Sequence, residues 1–163
     1  MGVFADPGIA ITNNNWPTNG LKYFISVKVN DTIDLLAVWA CRPYIEEYYA
    51  YQVNNQNYYK DNMVLIGDFN SNTIWDKKHS NRNHSIVVER LNKIGLVSAY
   101  HYRFNEKQGE EKTNTFFLYR HKDMGYHIDY AFVNEKYIKD FKILDGDEWL
   151  NYSDHKPIVL ELY

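Results

Sequence analysis

The sequence predicts an α/β (α+β) fold, a layered sandwich of strands with helices set among them. Three observations lead there. Short β-prone runs recur along the chain with two amphipathic helical segments set among them, the mark of layered sheets and helices. One run, Ile33 to Trp39, is almost continuously apolar and reads as a central strand. The 163 residues suffice for one real core, so residues 1–163 are read as a single domain.

The elements follow in order. Gly2 to Ala5 and Ile9 to Ile11 read as strands around a turn at Asp6-Pro7-Gly8. Asn13, Asn14, Asn15 and Pro17 form a loop. Tyr23 to Val29 alternates, and Asn30-Asp31 is its turn into Ile33–Trp39. Tyr44 to Asn57 carries apolar residues at helical spacing. Val64 to Ile66 is a buried strand. Asn83 to Ile94 is the clearest helix, with Val87, Leu91 and Ile94 on one face, Asn83 or Ser85 as cap and Gly95 as stop. Glu106 to Lys112 reads as a solvated charged loop. Thr115–Tyr119 and Tyr126–Val133 are strands joined by residues 121–125. Pro157 opens the last strand, Ile158 to Leu162.

Composition narrows the function classes. Net charge is −3, so no global basic field announces a nucleic-acid binder, although an enzyme needs only a few local cations. A single cysteine, Cys41, excludes an internal disulfide and a thiolate zinc cluster, and fits a small core residue in a reducing, cytoplasmic setting. The start has neither the basic segment nor the apolar stretch of a secretory signal, and Asp6 stands where myristoylation wants Ser or Thr. Nothing approaches the roughly 20 apolar residues of a membrane span.

Three polar sets interrupt the apolar pattern. In Met63-Val64-Leu65-Ile66-Gly67-Asp68-Phe69-Asn70 a buried strand ends in a carboxylate and an amide. Either Asp68 and Asn70 make a turn, or the strand delivers them to a site. Asp129, in Tyr126-His127-Ile128-Asp129-Tyr130-Ala131-Phe132-Val133, sits on a strand whose two faces both look buried. A carboxylate there needs a cationic or donor partner, structural or catalytic. Ser153-Asp154-His155-Lys156-Pro157 precedes the last strand; it is a capped turn or a second polar arm of a site, with Asp154 and His155 pointing to opposite sides.

Taken in order, Ile66-Gly67-Asp68-Phe69-Asn70, His127-Ile128-Asp129-Tyr130 and Ser153-Asp154-His155-Lys156-Pro157-Ile158 resemble the endonuclease/exonuclease/phosphatase superfamily, the metal-dependent phosphoesterases of the deoxyribonuclease-I-like fold. The resemblance implies a four-layer α-β-β-α sandwich of two mixed, mostly antiparallel sheets, and hydrolysis of a phosphoester by in-line attack of water. It assigns Asp68 to activating the water, Asn70 to holding the phosphate, His155 to contacting the phosphate with Asp129 hydrogen-bonded behind it, and Asp154 to a metal, Mg²⁺ or Mn²⁺. The substrate would be a nucleic acid or a small phosphoester. Arg42 or Tyr44, after the strand Ile33–Trp39, would meet the phosphate where relatives place a donor, and His127 would line the same cleft. His79, His84, His101 and His121 receive no role.

The resemblance covers the C-terminal two-thirds of that fold. The family's opening strand with an Asn, its first helix, and a strand ending in Gln-Glu find no match before Gly2-Val3-Phe4-Ala5. That Glu is a principal metal ligand, and Glu46 and Glu47 are not read as substitutes. The expectation is therefore an N-terminally truncated domain, and two others compete with an active phosphoesterase. One is a catalytically impaired fragment or a phosphate- or nucleic-acid-binding remnant. The other is an interaction protein that uses an unpaired sheet edge.

Overall fold

The hairpin between Tyr23 and Trp39 forms as its alternation predicts. Strands β2 (Phe24–Val29) and β3 (Ile33–Trp39) pair antiparallel. Their turn residues Asn30 and Asp31 both have positive φ, 47° and 56°, which matches the twist of the two strands. The protein is described by a computed structural model over residues 1–144 and 146–163. β1 (Ile11–Asn13) adds an edge to β2. From β3 the chain crosses over through helix α1 (Ile45–Asn54) to β4 (Val64–Asp68), parallel to β3. With β5 (Leu96–Ser98) and β8 (Asp129–Asn134) the sheet order is β1-β2-β3-β4-β8-β5.

Each face of this sheet carries its own core. Leu36, Val38, Leu65, Tyr130 and Phe132 pack under α1 and α2 (His84–Asn92), against Ile45, Tyr48, Tyr51, Val87 and Leu91. Burying one such Leu or Phe side chain contributes about 1.5–3 kcal/mol. On the other face Val64, Ala131 and Val133 meet α3 (Ala99–Phe104) and a second sheet of β9 (Ile138–Ile143) and β10 (Ile158–Leu162). β8 alternates between the two cores, as expected of a strand covered on both sides. A small hairpin, β6 (Phe116–Phe117) and β7 (Gly125–Tyr126), lies beside the start of β8.

Several expectations need correction. Gly2–Ala5 is no strand: Phe4 is exposed, and the segment joins no ladder among the described residues. The helix expected to reach Asn57 stops at Asn54, where the Asn55 side chain donates to the Tyr51 carbonyl and to Pro17; Gln56–Tyr58 is a tighter turn. The strand expected over Thr115–Tyr119 ends at Phe117, because Tyr119 and Arg120 turn left-handed with φ of 54° and 61°. The expected strand Tyr126–Val133 breaks at His127 and Ile128, where the His127 carbonyl accepts from Asn72 Nδ2 and Ile128 N donates to the Thr115 hydroxyl. β5, α3 and β9 lie outside every expected element.

The charged loop Glu106–Lys112 is not merely solvated. The Glu111 carboxylate is almost fully buried and accepts from Gly109 N, Asn72 Nδ2 and His101 Nε2. These bonds outweigh the effect of burial and hold it down at about 2.

Candidate active site

β4 reaches the site because Gly67 lets it. A Cβ there would stand 2.0 Å from the Val38 carbonyl oxygen, and φ is +144°. Asp68 follows on the face shared with Val64 and Ile66. Its Oδ1 accepts Asn70 N at 2.7 Å and its Oδ2 accepts Asn70 Nδ2 at 2.7 Å. Both readings of this stretch therefore hold at once: the turn exists, and it fixes the carboxylate.

The sheet register completes the arrangement. Asp68 is level with Trp39 on one side and Asp129 on the other, so all three side chains leave the same face of the sheet. Asp129 finds its partner in His155, whose Nδ1 lies 2.9 and 3.1 Å from the two carboxylate oxygens. The far nitrogen, Nε2, stands 4.0 Å from Asp68 Oδ2. That gap is too long for a hydrogen bond and wide enough for a bridging oxygen atom.

Charge states follow from these contacts. Burial, reinforced by Asp129 and Asp154, pushes Asp68 from 3.8 up to about 7, against the opposing pull of Asn70 N and His155. For His155, burial alone would favour the neutral ring; the carboxylates of Asp129, Asp68 and Asp154 outweigh it and raise the pKa. A carboxyl raised to about 7 and an imidazole whose pKa is also raised thus face one another across 4.0 Å.

No family model matches the chain, and no curated protein matches it. Solved structures do. A 3′ phosphatase NExo from Neisseria, bound to product DNA hairpin, superposes with a TM-score of 0.64 at 16% identity, over 96% of this chain and 71% of that one. The endonuclease domain of TRAS1, a telomere-specific non-LTR retrotransposon, gives 0.63 at 18% identity, over 96% and 68%. An endonuclease/exonuclease/phosphatase family protein from Leptotrichia buccalis gives 0.51 at 18%, over 86% and 53%. The chain has the endonuclease/exonuclease/phosphatase fold.

Within that fold the C-terminal polar arm is tied in place by β6. Phe117 N donates to the Asp154 carbonyl, Lys156 N to that of Thr115, and the Phe116 ring lies 4.8 Å from the His155 ring. His155 N also donates to Ser153 Oγ, so this segment too is both a turn and a site arm. Thr115 escaped the sequence reading. Its hydroxyl, fully buried, accepts from Ile128 N and Asp129 N at 3.0 Å each and so anchors the backbone that carries Asp129. Asn72 is a second missed anchor, bridging the loop after β4 to the His127 carbonyl, to Tyr130 and to Glu111. Neither Thr115, just before β6, nor Asn72, which caps the 3-10 turn Thr73–Lys78, carries a local signal of such long-range bonds.

Of the expected substrate contacts, Tyr44 and Asn70 share the wall of a cleft of about 450 Å³ with Trp75, Phe116, Tyr126 and Ile128. Arg42 is exposed two residues before Tyr44. His127 must be corrected: it is buried rather than in the cleft. Its Nδ1 is bound to the Thr113 carbonyl and its ring packs on Tyr100, because the backbone break at His127–Ile128 turns it inward. Burial lowers its pKa.

The carboxylates do not close around a cation. Among the described residues no group of three His, Cys, Asp or Glu side chains is placed to hold a metal ion. Both Asp68 oxygens are engaged by Asn70 and both Asp129 oxygens face His155.

Proposed function

We propose that the chain is a phosphoesterase of the endonuclease/exonuclease/phosphatase superfamily. One observation carries the reading: the buried Asp129 holds the half-buried His155, whose Nε2 faces Asp68, a carboxyl pushed up to about 7, across 4.0 Å. A phosphoryl oxygen in that gap would accept from His155 Nε2, while deprotonated Asp68 takes the proton of an attacking water. Asp129 fixes the imidazole tautomer and stabilises its charge. Asn70 stabilises the Asp68 carboxylate and lines the cleft where the ester group would lie, beside Tyr44, with Arg42 at the rim.

Mg²⁺ or Mn²⁺ belongs to the reading through the resemblance alone, with Asp154 as its carboxylate. Among the described residues the donor set does not fit a closed metal site. The same observation favours the second reading, a phosphate- or nucleic-acid-binding remnant without turnover. The substrate is a nucleic acid or a smaller phosphoester, in a cytoplasmic setting, and residues 1–163 act as one domain. Among the described residues no helix is long and apolar enough to cross a membrane.

The test is hydrolysis of bis(p-nitrophenyl) phosphate and of a labelled oligonucleotide, with and without magnesium. Wild type should turn over, and His155→Ala and Asp68→Asn should each lose about 10²–10⁴-fold. A wild type with no turnover on either substrate supports the second reading instead.

A further inference from the structure

Exposed aromatic rings gather around this site. Ten aromatic side chains are strongly exposed among the described residues: Phe4, Tyr23, Trp39, Tyr44, Tyr58, Tyr102, Phe104, Tyr119, Tyr152 and Tyr163. Half of them lie on the segments that frame the crevice. Trp39 is level with Asp68 in the parallel ladder. Tyr23 receives the Trp39 N–H on its carbonyl and packs its ring 4.7 Å from the indole. The row Tyr23, Trp39, Asp68, Asp129 thus crosses the end of the sheet, two rings running into two carboxylates. Tyr44 stands in the cleft wall beside Asn70.

On the opposite side, Tyr119 tips the hairpin whose Leu118 lines that wall, and it is 79% exposed. Tyr152, 81% exposed, immediately precedes Ser153-Asp154-His155. The two segments are joined by Arg120 Nη1, which donates to the Asn151 carbonyl. Exposed rings on monomer surfaces mark contact sites when they cluster. Cations stand on the same segments: Lys22 beside Tyr23, Arg42 between Trp39 and Tyr44, Lys78 in the cleft wall, Arg120 and Lys122 in the hairpin, and Lys156 after His155.

We infer that this rim binds a single-stranded nucleic acid, its unpaired bases stacked on Trp39 with Tyr23 and on Tyr119 and Tyr152, its backbone passing Asp68 and His155. Only unpaired bases offer their faces to such rings, and stacking of this kind tolerates any base sequence. A duplex hides those faces and is held by its phosphates, so exposed rings around the crevice add nothing to its binding. A small phosphoester would fill the cleft and leave rings on both sides without a partner. The assignment rests on the phosphoesterase reading of the crevice, but binding does not require turnover.

Fluorescence anisotropy with a labelled twelve-nucleotide thymidine strand tests it, beside the blunt duplex of the same strand and the hydrolysis assay on bis(p-nitrophenyl) phosphate. The single strand should bind at least about tenfold tighter than the duplex. Trp39→Ala, Tyr119→Ala and Tyr152→Ala, all at exposed positions, should each weaken it roughly 5- to 100-fold. Tyr102→Ala, an exposed ring on α3, should leave it unchanged. Equal or tighter duplex binding, or rim variants that bind like wild type, overturns the inference. Hydrolysis of the small ester without strand binding overturns it and leaves the phosphoesterase reading standing. Rim-dependent binding without hydrolysis supports it while removing that reading.

Discussion

Asp68 shows how one residue can be held against its own solvation. Its carboxyl is pushed up to about 7 by burial and by Asp129 across the ladder. The folded state therefore binds this proton more tightly than the unfolded chain, where the carboxyl titrates near 3.8. The resulting stability is fully present below the unfolded value and is lost as pH rises through about 7. Asp68→Asn removes the titration, so its thermal melt should match wild type near pH 4 and exceed it at pH 8, by up to about 4 kcal/mol. Equal melts at pH 8 would show that Asp68 is not destabilised by its site. In catalysis the same groups predict a bell: kcat/KM rises as Asp68 loses its proton near 7 and falls as His155 loses its own above its raised pKa. Because the two groups interact, the limbs report the pair. A profile flat through 7 would remove Asp68 as the base.

At the scale of the element, the site depends on bonds that cross between segments. Thr115 secures the start of β8 through two backbone N–H groups. Thr115→Val keeps the shape and leaves both donors unpaired, so urea unfolding should show a loss of about 2–4 kcal/mol, while Thr115→Ser should recover most of it. A Val variant as stable as wild type would mean those amides find other partners. Helix α2 offers a simpler case. Asn83 Oδ1 caps it through Ile86 N at 3.0 Å, and Asn83→Ala should cost about 1 kcal/mol in the same titration. The Asn83 side chain bonds to the Ser80 carbonyl and to Ile86 N, neither of them a site residue, so hydrolysis at 25 °C should not change.

Over the whole molecule, the two sheets differ in how much of themselves they cover. The six-stranded sheet is buried on both faces at β4 and β8. The second sheet has only β9 and β10 among the described residues, and β10 pairs with β9 alone. Such an edge presents N–H and C=O groups to any strand that approaches. Sedimentation velocity across a hundredfold concentration range should therefore show reversible self-association, weakened by Leu160→Pro. A single monomeric species throughout would count against an available β10 edge.

Local chemistry made much of this legible before any coordinates. The β2–β3 hairpin, α2 with its Asn83 cap, and β10 behind Pro157 follow from alternation, capping and proline geometry, which act within a few residues. The sets around Asp68, Asp129 and His155 stood out because each placed a charge where the pattern demanded apolar residues. Only the tertiary structure decided that Trp39, Asp68 and Asp129 share one row, that Thr115 and Asn72 anchor it, and that His127 and Glu111 turn inward. Strand register and buried hydrogen bonds join residues far apart in sequence. Such long-range contacts exist only once the two cores have closed around β8.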